Sequence, residues 1–427
     1  MKKKISIFGS TGSIGKNTIE VIKNSPDDFE IIALVAKNDV KTLISQALLF
    51  KPRYVVIENE KHFPKLKSSL KNCEILCGWE AILEVAKIKC DLFVAAIVGF
   101  AGMLPTLNAI KAGSNIALAN KESLVCAGKF LMDEAKKHKV KIIPVDSEHN
   151  AIFQIFENEN LAMIDDIVLT ASGGPFFNSK KDFRKISVAE ALKHPNWKMG
   201  AKISIDSATM MNKGLEMIEA FHLFPLKKNQ IKILTHPQSI VHGMVNYLDG
   251  SSLAMISLPD MKVPISYALT FPNRMKIRHQ KLDLAKLQKL EFFAVDEKKF
   301  PAVRICREAL EIDGSAPTVL NAANEIAVAK FLDGEITFDC ISKIVEKTLN
   351  KISHKKLSSV EEVIFFDEKA RACLQTHHSS IFPLYLIGIR ALRSCPFSLK
   401  SLRDFLTLKH CKKFCRKTSQ NLWKSEL

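Results

Sequence analysis

Short apolar runs punctuate the first 150 residues, with helix-spaced segments between them. Lys4–Phe8, Glu30–Ala36, Tyr54–Ile57, Leu92–Val98 and Asn115–Ala119 read as strands, and Ser13–Asn24 reads as the first helix. This β-α-β rhythm predicts a mostly parallel sheet covered on both faces. After Asn150 the pattern changes. Asp166–Ala171, Lys202–Asp206, Ile231–Leu234 and Leu253–Leu258 read as strands separated by polar, glycine-containing loops. That predicts a second, α+β unit carrying its chemistry on loops. Pro272 to Pro301 is charged and poorly periodic, as a linker is. From Ala302 to about Leu374 helical spacing dominates, as in Thr318–Leu332.

The predicted fold class is therefore α/β. It comprises an N-terminal Rossmann-like parallel sheet (1–150), a central α+β catalytic domain (151–275), a linker (276–301) and a small C-terminal helical domain (302–375). A basic tail (376–427) is expected to be disordered.

Composition narrows the function classes. Ten scattered cysteines, with no paired finger spacing through the body of the chain, read as reduced thiols, which points to the cytoplasm. The start, M-K-K-K-I-S-I-F-G, has a charged head, but its apolar run stops at Gly9, too early for a secretion signal. Leu92–Leu104 is too short to span a bilayer. The net charge of +17 raises the possibility of nucleic-acid binding. From His377 onward, however, ten Lys/Arg face two Asp/Glu, nearly half of that charge, and no recognition motif accompanies it. A basic body equally suits phosphorylated small molecules.

Two motifs carry the chemistry. Gly9–Gly15, G-S-T-G-S-I-G, follows the first strand and opens the first helix. Glycines there let the turn tighten against a pyrophosphate, and the helix N-terminus supplies free N–H groups. The second strand ends in Lys37 and Asn38, which favour a 2′-phosphate over the bare ribose that an acid would hold; Asp39 argues the other way. The second motif is P-V-D-S-E-H-N-A-I-F-Q, Pro144 to Gln154. At the end of the apolar run Val140–Val145, Asp146 and Glu148 are two residues apart and would share one face of a strand. Both oxygens can converge on Mg²⁺ or Mn²⁺. Ser147 and His149 flank them as neutral polar groups. A two-acid solvated loop would look the same in isolation.

Other segments supply context. In D-S-A-T-M-M-N-K-G-L-E-M-I-E-A, Asp206 to Ala220, the residues Lys213, Glu216 and Glu219 recur at helical spacing, which fits a solvated charged stripe or a third metal carboxylate from Glu216. Ser207, Asn212 and Lys213 suit an anion, as does Ser172 in A-S-G-G-P. H-P-N-W-K-M-G, His194 to Gly200, has a lid's composition, with Trp197 in need of something to cover. N-K-E-S-L-V, Asn120 to Val125, stands where parallel sheets bind ligands. His236 and His242 read as a strand edge or a dimer contact.

Together these segments, with H-P-Q-S-I-V-H and L-N-A-A-N-E-I-A-V, resemble the 1-deoxy-D-xylulose 5-phosphate reductoisomerase family over roughly residues 4 to 375. The resemblance implies a metal-dependent, NADPH-dependent conversion of that ketose phosphate to 2-C-methyl-D-erythritol 4-phosphate, in a cytoplasmic homodimer. It implies Mg²⁺ or Mn²⁺ on Asp146, Glu148 and Glu216, with Lys213 and His194 also in the catalytic set. Substrate contacts would come from Lys121, Ser147, Glu148, Ser172, His194, Ser207, Asn212, Lys213 and Glu216. NADPH contacts would come from Thr11, Gly12, Ser13, Ile14, Lys37, Asn38, Asn120, Glu122 and Gly200. Two departures stand out: the family's Gly before Lys37 is missing, and the sequence after Gln375 no longer follows the family. The rival reading is a metal-independent NADP dehydrogenase, which leaves the carboxylate trio without work.

Overall fold

A computed structural model describes residues 1–197 and 199–375; the basic tail lies outside the described residues. Seven strands form the first sheet: β1 (Lys3–Phe8), β2 (Phe29–Ala36), β3 (Tyr54–Ile57), β4 (Glu74–Cys77), β5 (Leu92–Ala95), β6 (Asn115–Leu118) and β7 (Ile142–Pro144). All pairings are parallel, in the order β4-β3-β2-β1-β5-β6-β7. Alternate residues of each strand feed two different cores. Ile5, Ile7, Leu34 and Val55 pack with Val21 and Leu43 on one face. Phe8, Val35, Val56 and Phe93 pack with Ile82 and Met103 on the other. Burial on both faces explains why these strands read as continuous apolar runs. The order reverses between β1 and β5, and such switch points open a crevice at the strands' C-terminal ends.

The second sheet is mixed. It contains β8 (Ile164–Ala171), β9 (Ile231–Thr235), β10 (Val241–Tyr247), β11 (Ser252–Ile256) and β12 (Phe293–Ala294), ordered β11-β10-β8-β9-β12. Three expectations change here. Lys202–Asp206 is not a strand but part of the helix Ala201–Ala208. Its apolar alternation mimics a strand, yet the helix brings Lys202 and Asp206 within 2.8 Å, one turn apart, with Asp206 buried and Lys202 partly so. The stretch before 301 is not only linker, because β12 closes an edge of the sheet against β9. Finally, the histidines of the H-P-Q-S-I-V-H segment are not at an edge. His242 lies on β10, between β11 and β8, and His236 Nε2 accepts the Ile240 N–H at 3.1 Å to shape the turn before it.

Four helices follow: Ala302–Ile312, Ala316–Leu332, Cys340–Lys351 and Val360–Gln375. Ala316–Leu332 is buried on almost every side because it packs against its helical neighbours and against Lys121–Lys137 and Ala201–Ala208. One apolar cluster includes Phe93, Leu169 and Leu320, so the core is continuous across all three segments. The seven cysteines among the described residues are free thiols.

Candidate active site

The site begins with chain turns. After β1, Gly9 adopts φ +92°, and a Cβ there would stand 2.3 Å from the Ala96 carbonyl oxygen in the loop after β5. The turn delivers the helix Ser13–Lys23, whose N-cap, Gly12, offers no side chain to its first N–H groups. They are left to an anion such as a pyrophosphate. At the tip of β2, Asp39 is spent locally: it accepts the Thr42 N–H at 3.1 Å and caps the next helix. Lys37 is exposed there, and Asn38 accepts from Asn59 at 2.9 Å.

β7 leads to the carboxylates. Asp146 and Glu148 are not on a strand, as their spacing suggested. Asp146 is the N-cap of the helix Ser147–Ile155, and Glu148 lies in its first turn. They still converge, because the helix start turns both toward Glu216 on the helix Met211–Leu223. One oxygen from each of Asp146, Glu148 and Glu216 falls within a 4.8 Å group. Lys121 Nζ donates to Asp146 at 2.7 Å, to Asn212 at 2.8 Å and to Glu216 at 2.9 Å. Lys213 Nζ donates to Glu148 at 2.8 Å and to the other oxygen of Glu216. Lys213, Glu216 and Glu219 are all buried, so the charged-stripe reading does not hold.

The electrostatics follow from crowding. Burial, with repulsion from Glu216 and Asp146, pushes Glu148 up to about 7. Asp146 is also pushed up by burial, but Lys121 and His149 outweigh that and hold its carboxyl well below the usual range. His149 is not the neutral group that the sequence suggested. Burial opposes its charge, yet Glu219 at 3.2 Å and Asp146 at 3.3 Å raise it to about 9. Both Glu219 oxygens lack a hydrogen-bond partner among the described residues, and the carboxyl is pushed up to about 7, chiefly by burial.

Four carboxylates thus face two lysines and one imidazole. A further positive charge is wanting, and an oxygen-only donor set suits a hard divalent cation. Asp146, Glu148 and Glu216 line the cavity and could hold it. Asp146, His149 and Glu219 also cluster, but His149 and Glu219 are fully enclosed behind the cavity wall.

That cavity, of about 480 Å³, gathers most of the predicted residues. Gly12, Ser13, Ile14, Asn120, Glu122 and Gly200 line it. Lys121, Ser147, Ser172, His194, Ser207 and Asn212 also line it, beside the carboxylates and Lys213. Thr11, Lys37 and Asn38 lie outside its lining, on the turn and the strand tip just described. Among the lining residues that the sequence reading left unassigned are Lys202, His242 and Val98. Lys202 was hidden by its strand-like setting, His242 by its reading as an edge, and Val98 by its apolar run. Lys202 donates to Glu122 at 2.6 Å, and Asn120 Nδ2 donates to the other Glu122 oxygen at 3.0 Å.

Ser172 and Ser207 meet through glycine. Gly174, at φ +68°, lies so close to Ser207 that a Cβ would stand 2.7 Å from its carbonyl oxygen. His194 joins this pair from the loop before Asn196. Its Nδ1 accepts the N–H groups of Asn196 (3.1 Å) and Trp197 (3.0 Å), so the proton of the neutral ring sits on Nε2 and is donated to Ser172 Oγ at 2.9 Å. Burial lowers the ring to about 4. Because the folded value lies below the unfolded one, near 6.5, the unfolded loop takes up protons first as pH falls. The folded loop is thus fully favoured above about pH 6.5 and loses that advantage toward pH 4. In a protein with Trp79 and Trp423 replaced by Phe, Trp197 fluorescence is expected to change over this window, and His194→Gln to abolish the change. An unaltered titration in that variant would refute the assignment.

The parallel sheet, its glycine turn at the switch point and the adjoining carboxylate pocket define an α/β dinucleotide-dependent oxidoreductase with a place for a hard cation. Residues 5–128 match the 1-deoxy-D-xylulose 5-phosphate reductoisomerase family, and residues 142–224 and 256–373 match C-terminal domains of the same enzymes. The chain belongs to the 1-deoxy-D-xylulose 5-phosphate reductoisomerase family. It is 47% identical over 372 residues to the Rhodospirillum centenum reductoisomerase, covering 86% of this chain and 92% of that one. The Geotalea uraniireducens enzyme is 48% identical over 373 residues, covering 86% and 97%. The Zymomonas mobilis reductoisomerase solved with NADPH superposes with a TM-score of 0.83 at 44% identity, covering 89% of this chain and all of that one. A reductoisomerase solved with NADPH, fosmidomycin and magnesium gives 0.82 at 40% identity, covering 88% and 98%.

Proposed function

We propose that this chain converts 1-deoxy-D-xylulose 5-phosphate to 2-C-methyl-D-erythritol 4-phosphate, using NADPH and a divalent cation. The observation that carries this reading is the carboxylate trio in the same cavity as the glycine turn. Bound NADPH supplies a hydride and the bound cation supplies Lewis-acid charge for the ketose oxygens.

The chain's own residues do the rest. Asp146, Glu148 and Glu216 hold the cation. Ser172, Ser207, Asn212 and His194 present hydroxyl, amide and imidazole groups to the phosphate, with the Lys213 charge beside them. Lys121 and Ser147 orient the reacting oxygens. The glycine turn from Thr11 to Ile14 takes the pyrophosphate, Asn120, Glu122 and Gly200 border the nicotinamide end, and Lys37 and Asn38 take the 2′-phosphate. The lid from His194 to Gly200 covers the substrate and excludes water. All of this proceeds in the cytoplasm.

The direct test is NADPH oxidation with this ketose phosphate, with and without EDTA. Turnover that survives the chelator would favour a metal-independent dehydrogenase. Because Asp39 is engaged in capping a helix, NADPH should exceed NADH in kcat/KM by tenfold or more, about one good charge contact. Equal use of the two would remove Lys37 and Asn38 from the site.

A homodimer fits the second sheet. β11 is an edge strand, and its Leu253 and Ile256 are exposed beside Leu248. An apolar open edge is a pairing surface for a second copy. Light scattering should report twice the chain mass, and Leu253→Lys should shift it toward the monomer. A monomeric parent protein would end this reading.

A further inference from the structure

The loop after β5 forms one wall of the dinucleotide crevice: Ala96, Ile97 and Val98 line the cavity, with Ala96 directly against Gly9 of the glycine turn. Val98 is 69% exposed, with its side chain free for a ligand to cover. Ile97 and Phe100 pack against the core, but the polar backbone of the loop still needs partners. Asn120 supplies them on one side, donating to the carbonyls of Ile97 at 2.7 Å and Gly99 at 2.9 Å. The other side is held from far along the chain. Glu325, on the helix Ala316–Leu332, accepts the Phe100 N–H at 2.9 Å. Its carboxylate lies against Gly99, where an added Cβ would meet it at 2.9 Å.

Glu325 is itself fixed. Asn321 donates to it at 3.0 Å, and Arg371 donates to its second oxygen at 2.6 Å. Arg371 is gripped in turn by Asp367 through two bonds, at 2.7 and 2.9 Å, one helical turn back on Val360–Gln375. The side chains of Glu325 and Arg371 are 18% and 20% exposed, so this is not a solvated surface pair. A charge-assisted bond to one backbone N–H, backed by a fixed guanidinium, aims the loop instead of merely tethering it.

We infer that Glu325, locked by Arg371, is a positioning residue for the cofactor: the C-terminal helices set the shape of the dinucleotide crevice through the Phe100 N–H. This rests on the crevice being the NADPH site. It gives the C-terminal helices a role in cofactor affinity although neither residue lines the cavity. Asn120 alone cannot do the work, because it holds carbonyls and leaves the Phe100 N–H without a partner.

The test uses the full chain and measures NADPH Kd by fluorescence titration without substrate or metal, beside kcat and KM. Glu325→Ala should weaken NADPH about tenfold, the scale of one lost hydrogen bond to a charged group. KM for the ketose phosphate and kcat at saturating NADPH should stay within about twofold if only uniform cofactor binding is lost. Glu325→Gln, which keeps an oxygen for the Phe100 N–H, should fall between parent and Ala. As a control, Arg304→Ala breaks the 2.7 Å pair with Glu346 within the same helical segment, away from the crevice, and should leave NADPH binding unchanged. Parent-like Kd in a folded Glu325→Ala protein would overturn the inference, as would equal weakening by Arg304→Ala. Should Glu325→Ala fail to fold, a parent-like Kd for Glu325→Gln does the same. Failure of the parent protein to bind NADPH would instead refute the proposed function.

Discussion

Glu216→Gln is expected to lower turnover by about 100-fold or more, above the 10–100-fold typical of outer-shell partners of a metal. The change keeps the side chain's size. It removes the charge that Lys121 and Lys213 share and that a hard cation would share with Asp146 and Glu148. Stability should suffer little, by roughly 1 kcal/mol at most, because three acids would then face three basic groups where four do now. Raising Mg²⁺ or Mn²⁺ should restore part of the activity, since weakened affinity yields to mass action. NADPH Kd should stay at the parent value, because Glu216 belongs to the far end of the cavity. Steady-state rates against metal concentration, with a separate cofactor titration, check this. Near-parent turnover at low metal would take Glu216 out of the site.

Much of this was legible in the sequence, for reasons specific to each element. β1 and the turn after it were readable because a buried parallel strand must be apolar throughout, and only glycine satisfies the approach of Gly9 to Ala96. Asp146, Glu148 and Glu216 were readable as types, since three acids from two segments otherwise have no reason to meet. Their local geometry was not readable: Asp-x-Glu at a strand end and Asp-x-Glu at a helix N-cap are the same letters, and the difference lies in where β7 stops. Lys202–Asp206 misled because Ile203 and Ile205 alternate like a strand, while the buried ion pairs that favour a helix involve Glu122, about eighty positions away. The charge on His149 was hidden for the same reason: it depends on Glu219, on another helix. The role of Glu325 left no local signal, because its partner is a backbone N–H, and any residue supplies one.

Lys202→Met is expected to destabilise the fold by about 3–5 kcal/mol, the usual loss when one member of a buried charge cluster is removed. Lys202 is the ammonium between Glu122 and Asp206, at 2.6 and 2.8 Å, and both carboxylates are buried. Without it, Asp206 keeps its bond from Asn324 at 2.8 Å, and Glu122 keeps only Asn120 and a helix N-terminus. The pH dependence identifies the cause. In the parent, burial pushes Glu122 up, but Lys202 outweighs it and holds the carboxyl below its ordinary value. That contribution is present above the unfolded pKa, near 4.5, and is lost as pH falls below it. In the variant, burial outweighs the smaller opposition left by the backbone N–H and Lys121, so the folded carboxyl's pKa should lie above the unfolded value. The variant then gains relative stability as it takes up a proton, and its deficit against the parent should be smaller at pH 5.5 than at pH 8. Adding Glu122→Gln should recover part of the loss, with a coupling of about 1–3 kcal/mol, since the two sites are in contact. Urea unfolding of parent, single and double variants at both pH values measures all of this. A loss below about 1 kcal/mol, equal at the two pH values, would mean that Lys202 merely decorates a solvated surface. The helix Ala201–Ala208 would then need another explanation than its buried charges.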